Sequence, residues 1–338
     1  TLQSVVRARS APAGGVVDGP LWIVGGGDPL LATKPYADSF VNQPQLRTPF
    51  EDLADKVVAA GVREVRGGVV GDETRYDSLR FLPTWKRSYV TGGFVGPESA
   101  LALNDGWAQF TPRKVAADDP PAHAATVLTD LLRERGVVIT GAPSSGRAPS
   151  PLVTVASVRS PPIEEIVGAM LRESDNNTAE LLVKEMGRRF ADAGTTAAGL
   201  GVVRRSLAAA KLPATELETV DGSGLDRSDR ASCNLFAAIL DTSGRDGQIG
   251  TGLAIAGETG TLADRFEGHP AEGKLRAKTG FLDGVVGLSG WMGEDLVFSF
   301  LANGLPVPSE RPAEAAQERL GAILATYPEA PPPAQLSP

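Results

Sequence analysis

At 338 residues, 42% of them hydrophobic, the chain is too long for one average domain and can fill more than one core, so two or three domains are expected. A formal net charge of -8 and a pI near 5.0 argue against nucleic acid or an anionic membrane as partner. One cysteine, Cys233, rules out an intrachain disulfide, and two isolated histidines, His123 and His269, argue against a zinc site, so no metal or other cofactor is expected.

Taken in chain order, Leu2 to Ala8 and Leu21 to Val24 read as short strands separated by a Gly-Pro-Asp cluster. The Gly25-Gly26-Gly27-Asp28-Pro29 run that follows predicts a tight turn rather than a phosphate loop, because a proline follows and no helix opens there. Phe50, Leu53, Val57 and Val58 share one face of a helix from Pro49 to Ala60, stopped by Gly61. Val65 to Val70 is a predicted strand. Tyr76 to Gly106 is loop-rich, and its aromatics serve either packing or a surface contact. A helix from Ala122 to Arg135 and a strand from Val137 to Ile139 lead into a Gly-Ser-Pro-Ala linker, Gly141 to Pro151, and a strand from Leu152 to Val158. The main domain boundary is placed here.

Ile163, Ile166, Val167, Met170 and Leu171 predict a helix begun by Pro161-Pro162, and Ala179, Leu182, Val183, Met186 and Phe190 mark the buried face of a second. Ser174-Asp175-Asn176 lies at the junction, where it either points into a cleft or caps the second helix. Arg204 to Lys211 and Leu235 to Leu240 are further helices, Asp221 to Gly224 a turn and Gly244 to Gly250 a loop. Val285 to Met292 and Leu296 to Ala302 form a hairpin through Gly293-Glu294-Asp295, which assigns the preceding strand to an antiparallel sheet. A helix from Ala313 to Ala325 covers it, and Pro328 to Pro338 is a proline-rich tail. No apolar run approaches the roughly 20 residues needed to span a bilayer. The opening Thr1-Leu-Gln-Ser-Val-Val is not a signal peptide, so the expectation is that a leader was removed or that the chain starts inside a longer product.

Chemistry concentrates in Lys274-Leu-Arg-Ala-Lys-Thr-Gly-Phe281. On a strand, Lys274, Arg276 and Lys278 face one way and Leu275, Ala277 and Thr279 the other. Gly280 removes a side chain where a ligand backbone could approach, and Phe281 offers the next N–H, a cradle for an extended peptide ending in a carboxylate. A lysine can take a serine's proton when burial and cationic neighbours depress its pKa, and the chain has neither a Gly-X-Ser-X-Gly elbow nor the histidines for a Ser-His-Asp triad. Gly268 to Lys274 imitates most of a Walker A motif, but Leu275 stands where a hydroxyl must hold Mg²⁺ and a strand follows in place of a helix.

Leu-Trp-Ile-Val-Gly-Gly-Gly-Asp-Pro at 21–29, Ser-Asp-Asn at 174–176, Asp-Gly-Ser-Gly-Leu at 221–225 and Arg-Ala-Lys-Thr-Gly at 276–280 occur in this order. On these motifs the chain resembles the D-alanyl-D-alanine carboxypeptidase/endopeptidases of the low-molecular-mass class C penicillin-binding proteins, peptidase family S13, in an actinobacterial wording. The resemblance implies an α+β multidomain protein: a penicillin-recognising transpeptidase-like domain, with antiparallel sheet and helices, interrupted by two smaller inserted domains. Residues 1–155 would hold the inserts, one of them within about 36–90; residues 156–328 the larger C-terminal part of the catalytic domain; residues 329–338 the tail. Ser174 would relay protons between the nucleophile's lysine and the leaving amine, and Asn176 would hold the amide side of the peptide. Lys278 and Thr279 would bind the substrate carboxylate beside Gly280, and the Phe281 N–H would form half of the oxyanion hole.

The chain departs from the family at one motif. No serine is followed three residues on by lysine, and the nearest match, Ser4-Val-Val-Arg7, lies in strand-like surroundings. The acylating serine, its lysine and the second oxyanion donor are therefore expected outside these residues, and this chain alone is expected to be inactive. The leading reading is a serine DD-peptidase of cell-wall peptidoglycan, exported from the cytoplasm, with peptidoglycan stem peptides and β-lactams as ligands. The alternatives are a non-catalytic peptidoglycan or β-lactam recognition protein and a serine β-lactamase or esterase on the same fold.

Overall fold

Gln3–Ala8 alternates exposed or half-buried residues with buried Ser4, Val6 and Ala8, the period-two pattern of a strand covered on one face. In the computed structural model, which describes residues 1–306 and 310–329, it is the pivot of a five-stranded mixed sheet. Leu21–Val24 and Val153–Arg159 flank it antiparallel, and Val69–Asp72 and Ser144–Ser145 extend the sheet in parallel beyond Leu21–Val24. The helices Phe50–Ala59 and Pro120–Glu134 bury Phe50, Leu53, Val57, Leu128 and Leu132 against Val6, Leu21 and Ile23. The second helix starts two residues before its predicted N-terminus because Asp119 accepts a hydrogen bond from Ala122 N and Pro120-Pro121 occupy the first turn, where missing N–H groups cost nothing.

The predicted strand Val65 to Val70 is two strands in different sheets. Glu64–Val65 pairs in parallel with Val16–Val17 and Val138–Ile139, whereas Val69–Asp72 joins the five-stranded sheet. Gly67 and Gly68 make the break: a Cβ on Gly68 would meet Ala142 O at 2.0 Å. The Gly-Ser-Pro stretch 141–151 runs between paired strands, and Val153–Arg159, which contains the expected 155/156 boundary, pairs along its length with Gln3–Ala8. Such composition here marks exposed backbone, and strand pairing continues on both sides of it.

The chain divides into two units. The first comprises residues 1–166, 176–203 and 220–226; the second comprises 167–175, 204–219 and the described residues from 227 on. The second is built on a four-stranded antiparallel sheet in the order Ala254–Ile255, Leu275–Leu282, Val285–Met292, Leu296–Asn303. Asp283-Gly284, with Gly284 at φ 77, closes the first hairpin in two residues. Leu320 and Leu324 of the helix Glu310–Leu324 pack on a core of Leu275, Ala277, Leu288 and Phe298, and Leu240 of the helix Cys233–Ser243 packs on Trp291.

Several predicted elements shift. The helix expected over Arg204 to Lys211 spans Thr196–Ala209; Gly199 and Gly201 mask its first half, and a Cβ on Gly199 would meet Val183 O at 1.9 Å, so glycine there serves close helix packing. The predicted loop Gly244 to Gly250 includes the start of a short helix, Gln248–Gly252. Tyr76, Trp85 and Tyr89 are buried while Phe94 is exposed, so the loop-rich stretch uses most of its aromatics for packing. Residues 330–338 of the expected tail lie outside the described residues.

Candidate active site

The second helix of the Ser-Asp-Asn junction, Asn176–Phe190, does not bury the face its apolar residues predict. Phe190 is exposed and Leu182 and Met186 are half-buried, while Asn177, Glu180, Lys184 and Glu185 are buried beside Leu181 and Val183. Each of these polar groups has a fixed partner. Asn177 Oδ1 accepts from Gly96 N at 2.9 Å, Glu185 is paired with Arg75 and accepts from Tyr76 Oη, and Lys184 Nζ contacts Asp77 Oδ1 at 2.6 Å and Glu98 Oε2 at 2.9 Å. Hydrophobic periodicity misses such a face because it scores polar residues as solvent-facing. Asn176 opens the helix and donates from Nδ2 to Phe94 O at 2.9 Å.

Ser174 belongs to the second unit, at the end of the helix Ile163–Glu173. Its φ of 57 places it in the left-handed region, and Asp175 N donates back to Met170 O at 3.1 Å, closing the helix end. Glycine is the usual residue in that conformation; a serine there carries strain in exchange for a hydroxyl. That hydroxyl accepts from Lys278 Nζ at 2.6 Å, across 104 residues of sequence. Lys278 also donates to Thr279 O at 2.8 Å. Both acceptors are neutral, and burial pulls the Lys278 ammonium down from 10.5 to about 8.

The strand that presents Lys278 is covered on one side only in part. Ala254–Ile255 pairs with Ala277 and Arg276, and Ala256 N donates to Leu275 O at 2.9 Å, so odd-numbered residues direct their N–H and C=O groups to this side. The partner strand ends there. Thr279 and Phe281 therefore direct their backbone groups to a sheet edge with no strand partner among the described residues. Gly280 and Phe281 are exposed, and a Cβ on Gly280 would meet nothing closer than 3.8 Å, so the edge is open to an extended peptide. Thr279 points to the face opposite Lys278 and donates from Oγ1 to Thr261 Oγ1 at 2.9 Å. Thr261, Arg265, Thr279, Gly280, Phe281 and Gln317 line an open cavity of about 370 Å³. Sequence reasoning singles out neither Thr261 nor Arg265, and only the adjacency of Gly260-Thr261 to a short turn before the strand hints at them.

A sheet edge with a lysine bonded to a serine that follows a helix, within an α+β chain of two units, is the arrangement of the penicillin-recognising fold with extra domains. Penicillin-binding protein 4 (dacB) from Haemophilus influenzae superposes with a TM-score of 0.78 at 19% identity, covering 94% of this chain and 84% of that one. The chain belongs to the D-Ala-D-Ala carboxypeptidase 3 (S13) family, whose model matches residues 2–114 and 108–326. It is 28% identical over 407 residues to the D-alanyl-D-alanine carboxypeptidase of Actinomadura sp. (strain R39), covering 95% of this chain and 72% of the relative. Carboxypeptidase DacB of Mycolicibacterium smegmatis is 29% identical over 293 residues, covering 82% of this chain and 62% of the relative.

Proposed function

We propose that this chain supplies the substrate-binding edge and the proton relay of a serine D-Ala-D-Ala peptidase acting on peptidoglycan stem peptides outside the cytoplasm, and that β-lactams occupy the same edge. The observation that carries the reading is the 2.6 Å contact between Ser174 Oγ and Lys278 Nζ. The pair gives a hydroxyl with one proton to pass and an ammonium that can hold or release another near neutral pH. In this reading Thr279, Gly280 and Phe281 bind the end of the peptide by strand addition, the Phe281 N–H faces the developing oxyanion, and Asn176 holds a peptide amide. Acylation requires a serine and its lysine base outside these residues: the serine oxygen bonds to the penultimate D-Ala carbonyl, the C–N bond breaks, and the relay delivers a proton to the departing amine.

The test is the mass of the chain after incubation with benzylpenicillin, together with its affinity for an N-acyl-D-Ala-D-Ala peptide. The mass is expected to stay unchanged, and an adduct on any of the chain's own serines refutes the assignment. Lys278→Met is expected to weaken peptide binding about tenfold, the loss of one charge-assisted hydrogen bond; unchanged affinity removes Lys278 from the site. The absence of any Ser-X-X-Lys within 338 residues favours one second reading, a recognition module that binds the same peptides without cleaving them. That reading predicts full binding and no acylation in any longer form of the protein.

A further inference from the structure

The buried polar face of the helix Asn176–Phe190 holds more acid than base. Within the first unit, Lys184 Nζ meets Asp77 at 2.6 Å and Glu98 at 2.9 Å, and Glu180 and Asp221 lie close enough to Glu98 to act on it and on one another. The other cations of this region are taken: both carboxylate oxygens of Glu73 hold Arg80, and both of Glu185 hold Arg75. A cluster of four carboxyl groups, all but Asp77 nearly inaccessible to solvent, thus has one ammonium, which contacts two of them. Burying that much uncompensated charge is far more costly than retaining a proton, so at least one of the four is neutral in the folded chain.

The ion pairs and hydrogen bonds together say which one. Asp221 accepts three N–H groups, from Trp85 Nε1 at 2.8 Å, Gly224 at 2.7 Å and Asp226 at 2.7 Å, so both of its oxygens are engaged. Asp77 and Glu98 share Lys184; Glu98 has no hydrogen-bond partner on either oxygen and burial raises its carboxyl, but the ammonium 2.9 Å from Oε2 opposes that rise. Glu180 accepts two backbone N–H groups, from Gly222 at 3.0 Å and Ser223 at 2.7 Å, but both reach the same oxygen, Oε1. Oε2 is buried without a hydrogen-bond partner, and no cation among the described residues forms an ion pair with the group. Burial, with Glu98 and Asp221 adding to it, pushes this carboxyl up to about 8.

Position gives the neutral acid its purpose. Glu180 stands one helical turn after Asn176, and Gly222 is pressed so closely on the helix that a Cβ would meet Val183 Cγ2 at 2.7 Å and Ala179 O at 2.9 Å. The Asp221–Gly224 turn, whose motif the sequence singles out, is therefore attached to the helix that presents Asn176. We propose that Glu180 is a positioning residue that works in its protonated form, clamping the Gly222–Ser223 backbone onto the helix so that this turn and Asn176 are held as one body. The clamp stands independently of the peptidase reading; its bearing on substrate, through Asn176, rests on that reading.

The test uses the whole chain as wild type, Glu180→Gln and Glu180→Ala. Amide exchange at Gly222 and Ser223, and the side-chain amide signal of Asn176 in NMR spectra, report the clamp; melting temperature from pH 5 to pH 9 reports the proton. Glutamine copies the neutral acid's acceptor and is expected to keep exchange at both amides within about twofold of wild type at pH 6. Alanine is expected to raise it about a hundredfold and to move the Asn176 signal, with the helices Phe50–Ala59 and Pro120–Glu134 unchanged. The melting temperature of the wild type is expected to fall relative to Glu180→Gln from pH 5 to about pH 8 and to run parallel above it. Parallel curves throughout, or exchange in Glu180→Gln as fast as in Glu180→Ala, would mean that the ionised form does the holding and overturn the proposal. Uniform loss of protection across the unit in Glu180→Ala would reduce the residue to general packing. If Glu180→Ala does not fold, the comparison of wild type with Glu180→Gln decides alone.

Discussion

Replacing Ser174 by glycine and by alanine separates what the backbone needs at this position from what the site needs. At φ 57 a side chain with a Cβ carries a cost of about 1–2 kcal/mol that glycine avoids. Glycine in turn adds about 0.5–1 kcal/mol of unfolded-chain entropy. Both variants lose the hydroxyl that accepts from Lys278, a charge-assisted bond contributing roughly 1.5–3 kcal/mol, and both leave the half-buried ammonium with only Thr279 O. Alanine retains the strain, so Ser174→Ala should destabilise by about 1.5–3 kcal/mol, and Ser174→Gly should be about 0.5–1 kcal/mol more stable than Ser174→Ala. Urea unfolding at pH 7, with equal slopes required so that the compared states match, measures both differences. Glycine no better than alanine would refute the claim that the backbone is strained here. A wild-type stability no greater than that of Ser174→Ala would show that the 2.6 Å contact contributes nothing. If both expectations hold, the bond to Lys278 more than offsets the backbone strain of the residue that carries the hydroxyl.

Lys278 gives a pH signature of its own. An unfolded lysine titrates near 10.5 and the folded one near 8, so between these values the unfolded chain binds more protons and stability rises with pH; below about 8 both are charged and the full burial cost applies. The rise should amount to about 3 kcal/mol and be missing from Lys278→Met, as read from denaturant midpoints at pH 7.5 and 10.5; identical pH profiles would refute it. Gly199→Ala should cost about 3 kcal/mol, because the new Cβ would fall 1.9 Å from Val183 O and one helix must move off the other. A melting temperature unchanged by that substitution would show that the two helices are not held in this contact.

The elements most legible in the sequence are those with one apolar face or a turn that admits few residues. Phe50, Leu53 and Val57 mark their helix, and Gly293-Glu294-Asp295 marks the sheet hairpin, because burial and turn geometry are local causes with local patterns. The helix Asn176–Phe190 is legible in extent but not in orientation. Its inward face is made of Asn177, Glu180, Lys184 and Glu185, whose partners lie between 42 and 110 residues away in sequence, and periodicity contains nothing about a partner. Thr196–Ala209 loses its first half for a related reason: glycines that allow close packing read as helix breakers. In the site, Lys278, Ser174 and Asn176 stand out through their triplets, but Thr261 lies in no motif and is found only because its hydroxyl meets that of Thr279.

Two lysines, Lys184 buried and Lys278 half-buried, show what such patterns leave out. Each makes short contacts to oxygen, yet only the first is paired with carboxylates. Lys184 is electrically satisfied, so its ammonium fixes the loops that bring Asp77 and Glu98 to it and has little left for a ligand. Lys278 has a hydroxyl and a carbonyl for partners and no carboxylate among the described residues, which leaves its charge unbalanced and its proton loosely held. An unbalanced cation beside an open strand edge is costly for the empty protein, and it is relieved by a ligand that lays its backbone on the edge and brings a negative charge with it. A peptide ending in a free carboxylate meets both conditions, and its amidated counterpart meets only the first. The ratio of their affinities should therefore fall toward one in Lys278→Met, and a ratio that survives the substitution would place the carboxylate elsewhere.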